Sequence, residues 1–80
     1  MMKRKAIHIK EAVALLKDRG PHNLRVWKLA TGDIIDYPEA VYLGSNERGG
    51  TITVRLPRSR KMRTFRRVCL FEIDNLKIYL

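Results

Sequence analysis

In the segment IHIKEAVALLKDRGP, apolar residues recur at helical spacing. Ile9, Ala12, Val13 and Leu16 occupy positions i, i+3, i+4 and i+7 of one face, and Leu15 widens that stripe. Glu11 near the start and Lys17 and Arg19 near the end complement the helix dipole, and Gly20-Pro21 stops the helix. Its start is open, since His8 is a poor N-cap and Ala6 to Ile9 also reads as extended chain.

Beyond Pro21 the period changes. LRVWKLA, residues 24–30, mixes β-branched and aromatic side chains, and the following ATGD reverses the chain into IID. Pro38 makes the segment Asp36 to Glu39 an edge, bulge or loop. AVYLGS and TITVRL flank NERGG, whose Asn46, Gly49 and Gly50 tolerate positive φ, so a hairpin is expected there. A second reversal spans Pro57 to Met62, TFRRVCLFEI reads as the longest strand, and Asp74-Asn75 turns the chain into a short closing strand, LKIYL. The run Val68-Cys69-Leu70-Phe71 lacks alternation and predicts a strand covered on both faces, the outer one by the helix. Arg66 and Arg67 fall on opposite faces of an ideal strand, so a bulge or a barrel mouth is needed to keep both wet. The fold class predicted is α+β: an N-terminal helix packed on a small, strongly curved antiparallel sheet or barrel of five to six strands.

The 80 residues suffice for one domain with a small core, and residues 1–5 read as a flexible basic arm on it. With 45% hydrophobic and 31% charged residues the chain is globular. No apolar run approaches the roughly 18 residues of a membrane span, and MMKRKAIHIKE has no apolar stretch of signal-peptide length, so a cytoplasmic protein is expected. Cys69 is the only cysteine; lying in an apolar run, it is expected to be buried and inert.

Charge changes the picture more than composition does. The net charge is +9, and residues 1–28, 29–50 and 51–80 carry +6, −3 and +6. Two basic segments flanking an acidic one suggest a folded surface with regions of opposite sign. The densest cluster is RLPRSRKMRTFRR, residues 55–67, in which seven of thirteen side chains are cationic and none is anionic.

Candidate catalytic chemistry is sparse. His8 and His22 have no nucleophile or acid at a recognisable spacing, and each reads as a solvated or locally bonded side chain. Asp33, Asp36 and Glu39 match no calcium loop and read as a solvated turn or as ion-pair partners for a neighbouring basic strand. GSNERGGT lacks the Gly-Lys-Ser/Thr ending of a phosphate loop, and one cysteine with two histidines cannot complete a structural zinc site. No cofactor and no metal is expected, and an enzyme ranks last among the functional readings.

The element order, with its long basic hairpin and short final strand after a tight turn, is similar to the SH3-like small barrels. That group includes protein-binding and nucleic-acid-binding modules. The C-terminal third, RRVCLFEIDNLKIYL, also resembles the ends of short uncharacterised proteins of bacterial mobile elements and phage-like regions. This second resemblance implies a bacterial cytoplasmic accessory protein and carries over no functional residues.

The function expected is binding of DNA or RNA without strong sequence specificity. Arg58, Arg60, Lys61 and Arg63 lie in or beside a projecting turn, Arg55, Arg66 and Arg67 flank it, and Lys3, Arg4 and Lys5 assist from the N-terminal arm. Phe65 and Tyr42 are candidate stacking platforms, although strand parity puts Phe65 in the core, and Trp27 is expected to be buried. The alternative is a protein-interaction module that docks an acidic protein surface or self-associates weakly through the acidic segment, Asp33 to Glu47. No membrane partner is expected.

Overall fold

Strand β3, Ile34–Asn46, is the hinge of the architecture. Its first half pairs with β2 (His22–Trp27) and its second half with β4 (Thr51–Leu56), so one strand serves two arms of the sheet. The computed structural model describes residues 6–18 and 20–80. Besides these strands it contains β1 (Ala6–His8), helix α1 (Ile9–Lys17), β5 (Lys61–Arg66), a 3₁₀ turn at Arg67–Cys69, β6 (Leu70–Ile73) and β7 (Leu76–Tyr79). The strands form one seven-stranded sheet in the order β1-β7-β6-β2-β3-β4-β5.

Pairing is antiparallel throughout except between β1 and β7, which run parallel. An α+β domain is therefore correct, but among the described residues the sheet has seven strands rather than five to six, is mixed rather than wholly antiparallel, and does not close. The extra strand at the start comes from Ala6–His8, which the pattern left undecided. His8 does cap the helix: the Lys10 backbone N–H donates to its Nδ1 at 3.1 Å, a role an imidazole can play when that nitrogen carries a lone pair.

Three bulges bend the sheet. Opposite Asn23 of β2, strand β3 holds both Pro38 and Glu39. Pro38 has no N–H to donate, and Glu39, at φ 53°, gives its N–H to the Asn23 side-chain oxygen at 3.0 Å. Leu43 is the extra residue opposite β4, and Phe71 the extra residue of β6 opposite β2. Each extra residue adds local twist and bends the strand that holds it. The bulge expected around Pro38 is thus present, inside a strand that continues to Asn46.

The core lies in the concavity so formed. Leu24, Val26, Ile52, Val54, Leu70 and Ile73 are all at most 2% exposed, and α1 adds Ile9, Ala12 and Leu16 from its apolar stripe. Val13 and Leu15 pack at the margin. Burying one such Ile or Leu side chain contributes about 1.5–3 kcal/mol, so these few side chains carry most of the stabilisation available to a domain of this size.

The longest strand expected from sequence, TFRRVCLFEI, is divided by the 3₁₀ turn into β5 and β6. The run Val68 to Phe71 is accordingly not a strand covered on both sides. Val68 is 56% exposed on the turn, Cys69 and Leu70 are buried, and Phe71 sits in the bulge, half-buried. The turn also answers the Arg66/Arg67 problem: Arg66 ends β5 exposed, and Arg67 begins the turn, half-buried, its backbone N–H donating to Gly50 O at 2.8 Å.

The turns carry the chemistry expected of them. Gly50 closes the β3–β4 hairpin at φ 64°, where a side chain would strain the backbone, and Asn46 Oδ1 accepts the Gly49 N–H. Asp74 and Asn75, both at positive φ, link β6 to β7 in two residues, as a type I′ turn requires. Asp74 also anchors that turn to β2: Oδ1 accepts the Asn23 N–H at 2.9 Å, and Oδ2 lies 2.6 Å from His22 Nδ1.

Candidate nucleic-acid interface

The β4–β5 hairpin holds the basic cluster, and its register decides where each cation points. Directly paired residues share a face of the sheet. Ile52 pairs with Phe65, Val54 with Arg63 and Leu56 with Lys61, so Lys61 and Arg63 stand on the same face as these core residues, themselves exposed. Thr51 pairs with Arg66, Thr53 with Thr64 and Arg55 with Met62, so Arg55 and Arg66 stand on the outer face. Between them the Thr53 and Thr64 hydroxyls are hydrogen-bonded at 2.8 Å. The tip, Pro57 to Arg60, turns at Arg60 with φ 57°.

The cations expected to act together are therefore split. Arg55 and Arg66 share one face, Lys61 and Arg63 the other, and Arg58 and Arg60 the tip. Arg58 is engaged within the chain, its Nε 3.2 Å from Glu39 Oε2. Arg67 leaves the hairpin altogether: it lines a cavity of about 60 Å³ with Lys17, Glu47 and Thr51 beside the β3–β4 turn. Arg55, Arg60, Lys61, Arg63 and Arg66 are exposed and have no carboxylate partner among the described residues; Arg63 donates only to the neighbouring Met62 carbonyl. Lys3, Arg4 and Lys5, and with them the basic arm expected at residues 1–5, lie outside the described residues.

The acidic segment is spent mostly on its own chain. Asp36 accepts from Arg25 Nε at 3.0 Å, Glu39 meets Arg58, and Asp33 Oδ2 accepts the Thr31 hydroxyl at 2.9 Å. These carboxylates are ion-pair and turn partners. No group of three or more His, Cys, Asp or Glu able to hold a metal occurs among the described residues.

Among the aromatic residues, Phe65 lies in the core as strand parity predicts, and Trp27 departs from expectation. Phe65 is buried, its ring 6.0 Å from that of Tyr37. Tyr42 is half-buried, bonded to Ser45 Oγ at 3.0 Å, with Lys17 Nζ 5.8 Å from its ring centroid. Trp27, expected in the core, is 46% exposed at the end of β2. Val26 and Leu24 already fill the inward positions of that strand, and alternation turns Trp27 outward. Trp27 lines two cavities: one of about 310 Å³ with Ile34, Val68, Leu70, Phe71 and Leu80, and one of about 260 Å³ with Lys28, Tyr37, Phe65 and Arg66. Parity along β2 carried the signal for its exposure, since Leu24 and Val26 were the better core pair.

Comparison with known proteins gave no match: no family model, no curated protein and no solved structure is significantly similar to the chain. The resemblance of the C-terminal third to mobile-element proteins therefore gains no support from these comparisons. No helix among the described residues is long and apolar enough to cross a membrane.

Proposed function

We propose that the protein is a small binding domain for nucleic acid, engaging the phosphate backbone with little sequence specificity through the β4–β5 hairpin. The observation that carries this reading is the set of five exposed cations, Arg55, Arg60, Lys61, Arg63 and Arg66, on one two-stranded ribbon with no carboxylate against them among the described residues. Unpaired charge of one sign on an edge ribbon adds self-repulsion to the folded state and gains a favourable term when a polyanion supplies counter-charge. Guanidinium groups make forked hydrogen bonds to phosphate, and four of the five are arginine. Cations on both faces suit a backbone that follows the β5 edge better than a flat docking surface.

The finer fold assignment belongs to the same proposal. A bent central strand shared by two arms of a curved sheet supports kinship with the SH3-like small barrels, here with its seam open. The setting proposed is the bacterial cytoplasm, in an accessory role, and it rests on the resemblance of the C-terminal third alone.

A salt titration with labelled duplex and single-stranded DNA tests the reading. Five neutralised phosphates give a log affinity against log salt slope of about −4.5 for duplex and about −3.5 for single strands. Absence of binding at low salt, or a slope unchanged when the five cations become serine, would remove it.

A second reading, protein interaction, is favoured by the free edge of β5, which offers unpaired backbone groups to an incoming strand. Salt-insensitive self-association in sedimentation, with no response to oligonucleotide, would select it.

A further inference from the structure

We infer that the seam between β5 and the β2–β3 turn is a subsite for an unpaired nucleobase, and hence that single-stranded nucleic acid is the preferred ligand. The inference rests on the proposed nucleic-acid function and deepens it. The seam exists because the sheet fails to close: β5 is an edge strand, and across the gap lie Trp27, Lys28 and Leu29 at the end of β2. The cavity there is about 260 Å³, near the lower end of ligand pockets, a size suited to a flat ring.

Its chemistry matches a nucleotide in both parts. The buried Tyr37 and Phe65 line it, and so does Trp27, which is 46% exposed. A π face at a wet rim stacks any base, which needs no hydrogen-bond code and is tolerant of sequence. The cations of the rim, Lys28 and Arg66, have no carboxylate partner among the described residues, so a phosphate on either side of the stacked base finds charge. Arg66 is the last residue of β5, so the seam lies at the end of the strand that also carries Lys61 and Arg63. A base paired in a duplex cannot enter, because its faces are covered by its neighbours.

Trp27 is the only tryptophan, so its emission reports the two cavities it lines and no other part of the chain. The experiment titrates the full chain at low salt with a short oligothymidylate, with an abasic phosphodiester of equal length, and with a duplex, reading Trp emission and the anisotropy of labelled strands. The expected result is quenching by oligothymidylate only, and an affinity for it about 5- to 160-fold above that for the abasic strand, the effect of stacking one base. Trp27→Ala should remove that difference while leaving abasic binding intact, with far-UV circular dichroism and a cooperative thermal transition showing that the variant is folded. Should the alanine variant not fold, Trp27→Leu keeps the apolar bulk and removes the π face. Equal affinity for the oligothymidylate and abasic strands, or a preference for duplex, with emission unchanged, would overturn the subsite and leave the backbone-binding function standing. No binding to any strand would overturn both.

Discussion

The two arms of the sheet treat charge in opposite ways. In the arm built from β7, β6, β2 and the first half of β3, the register sets Lys77 beside Glu72, Glu72 beside Arg25 and Arg25 beside Asp36, a row of alternating sign across four strands. Arg25 is held there by Asp36 at 3.0 Å and Glu72 at 3.8 Å, with the Phe71 ring centroid 5.6 Å from its guanidinium carbon. In the arm built from β4 and β5, five cations stand without a carboxylate among the described residues. The first arrangement closes on itself and has nothing left to bind; the second is open to an anion from outside. Under the proposed function the contrast gives structure to one arm and recognition to the other, and variants in each should separate stability from binding.

The largest effect belongs to the structural arm. Ile73 is fully buried between Leu24 of β2 and Leu76 of β7. Ile73→Ala should lower unfolding free energy by about 2–5 kcal/mol in chemical denaturation. That is a large part of the stability of so small a domain, so loss of binding in this variant would follow from unfolding. A loss below 1 kcal/mol would show that the arm is not the stabilising one.

Next comes the recognition arm. Changing Arg55, Lys61, Arg63 and Arg66 to serine should reduce DNA affinity at low salt by about 100-fold or more and flatten the duplex salt slope by about 3.6. Thermal stability should hold or rise, because like-charge repulsion is relieved. Thermal unfolding that drops sharply would mean that these residues support the fold, and the division between the arms would fail.

Much of the fold was legible in the sequence, because turns and apolar periodicity are local. The α1 stripe, the Asn46 to Gly50 hairpin and the Asp74-Asn75 turn are each set by a few neighbouring residues. The parallel pairing of β1 with β7 joins residues more than sixty positions apart and leaves no local trace. Bulges also hide: one extra residue at Phe71, and a 3₁₀ turn at Arg67–Cys69, convert an apparently continuous strand into two and move Val68 into solvent. For the interface, the cluster of cations was visible but its geometry was not. Only the register of β4 with β5 divides Arg55 and Arg66 from Lys61 and Arg63, and only the fold brings Glu39 to Arg58.

A smaller effect tests the closed charge row. Arg25→Ala removes the cation shared by Asp36 and Glu72 and leaves two carboxylates facing each other across β2. Both ion pairs are partly exposed, so the expected loss is about 0.5–1 kcal/mol in urea denaturation, with the DNA salt slope unchanged. A change in the slope would show that Arg25 touches the ligand and that the arms are not separate in function.

The smallest effect sharpens the boundary between the arms, because Glu39 reaches across it. Glu39 belongs to the bulge that hands β3 from one arm to the other, and its carboxylate holds Arg58 at the tip of the recognition hairpin. Glu39→Gln keeps the side-chain length and the backbone N–H bond to Asn23 and removes the charge. The Arg58 and Glu39 side chains are 76% and 52% exposed, so the pair is well screened and its loss should leave stability nearly unchanged. Freed of that partner, Arg58 becomes a sixth cation for phosphate, and the duplex salt slope should steepen by about 0.9 with a several-fold gain in affinity at low salt. An unchanged slope would mean that the hairpin tip faces away from the bound backbone, which would confine recognition to the β5 edge and the seam beside Trp27.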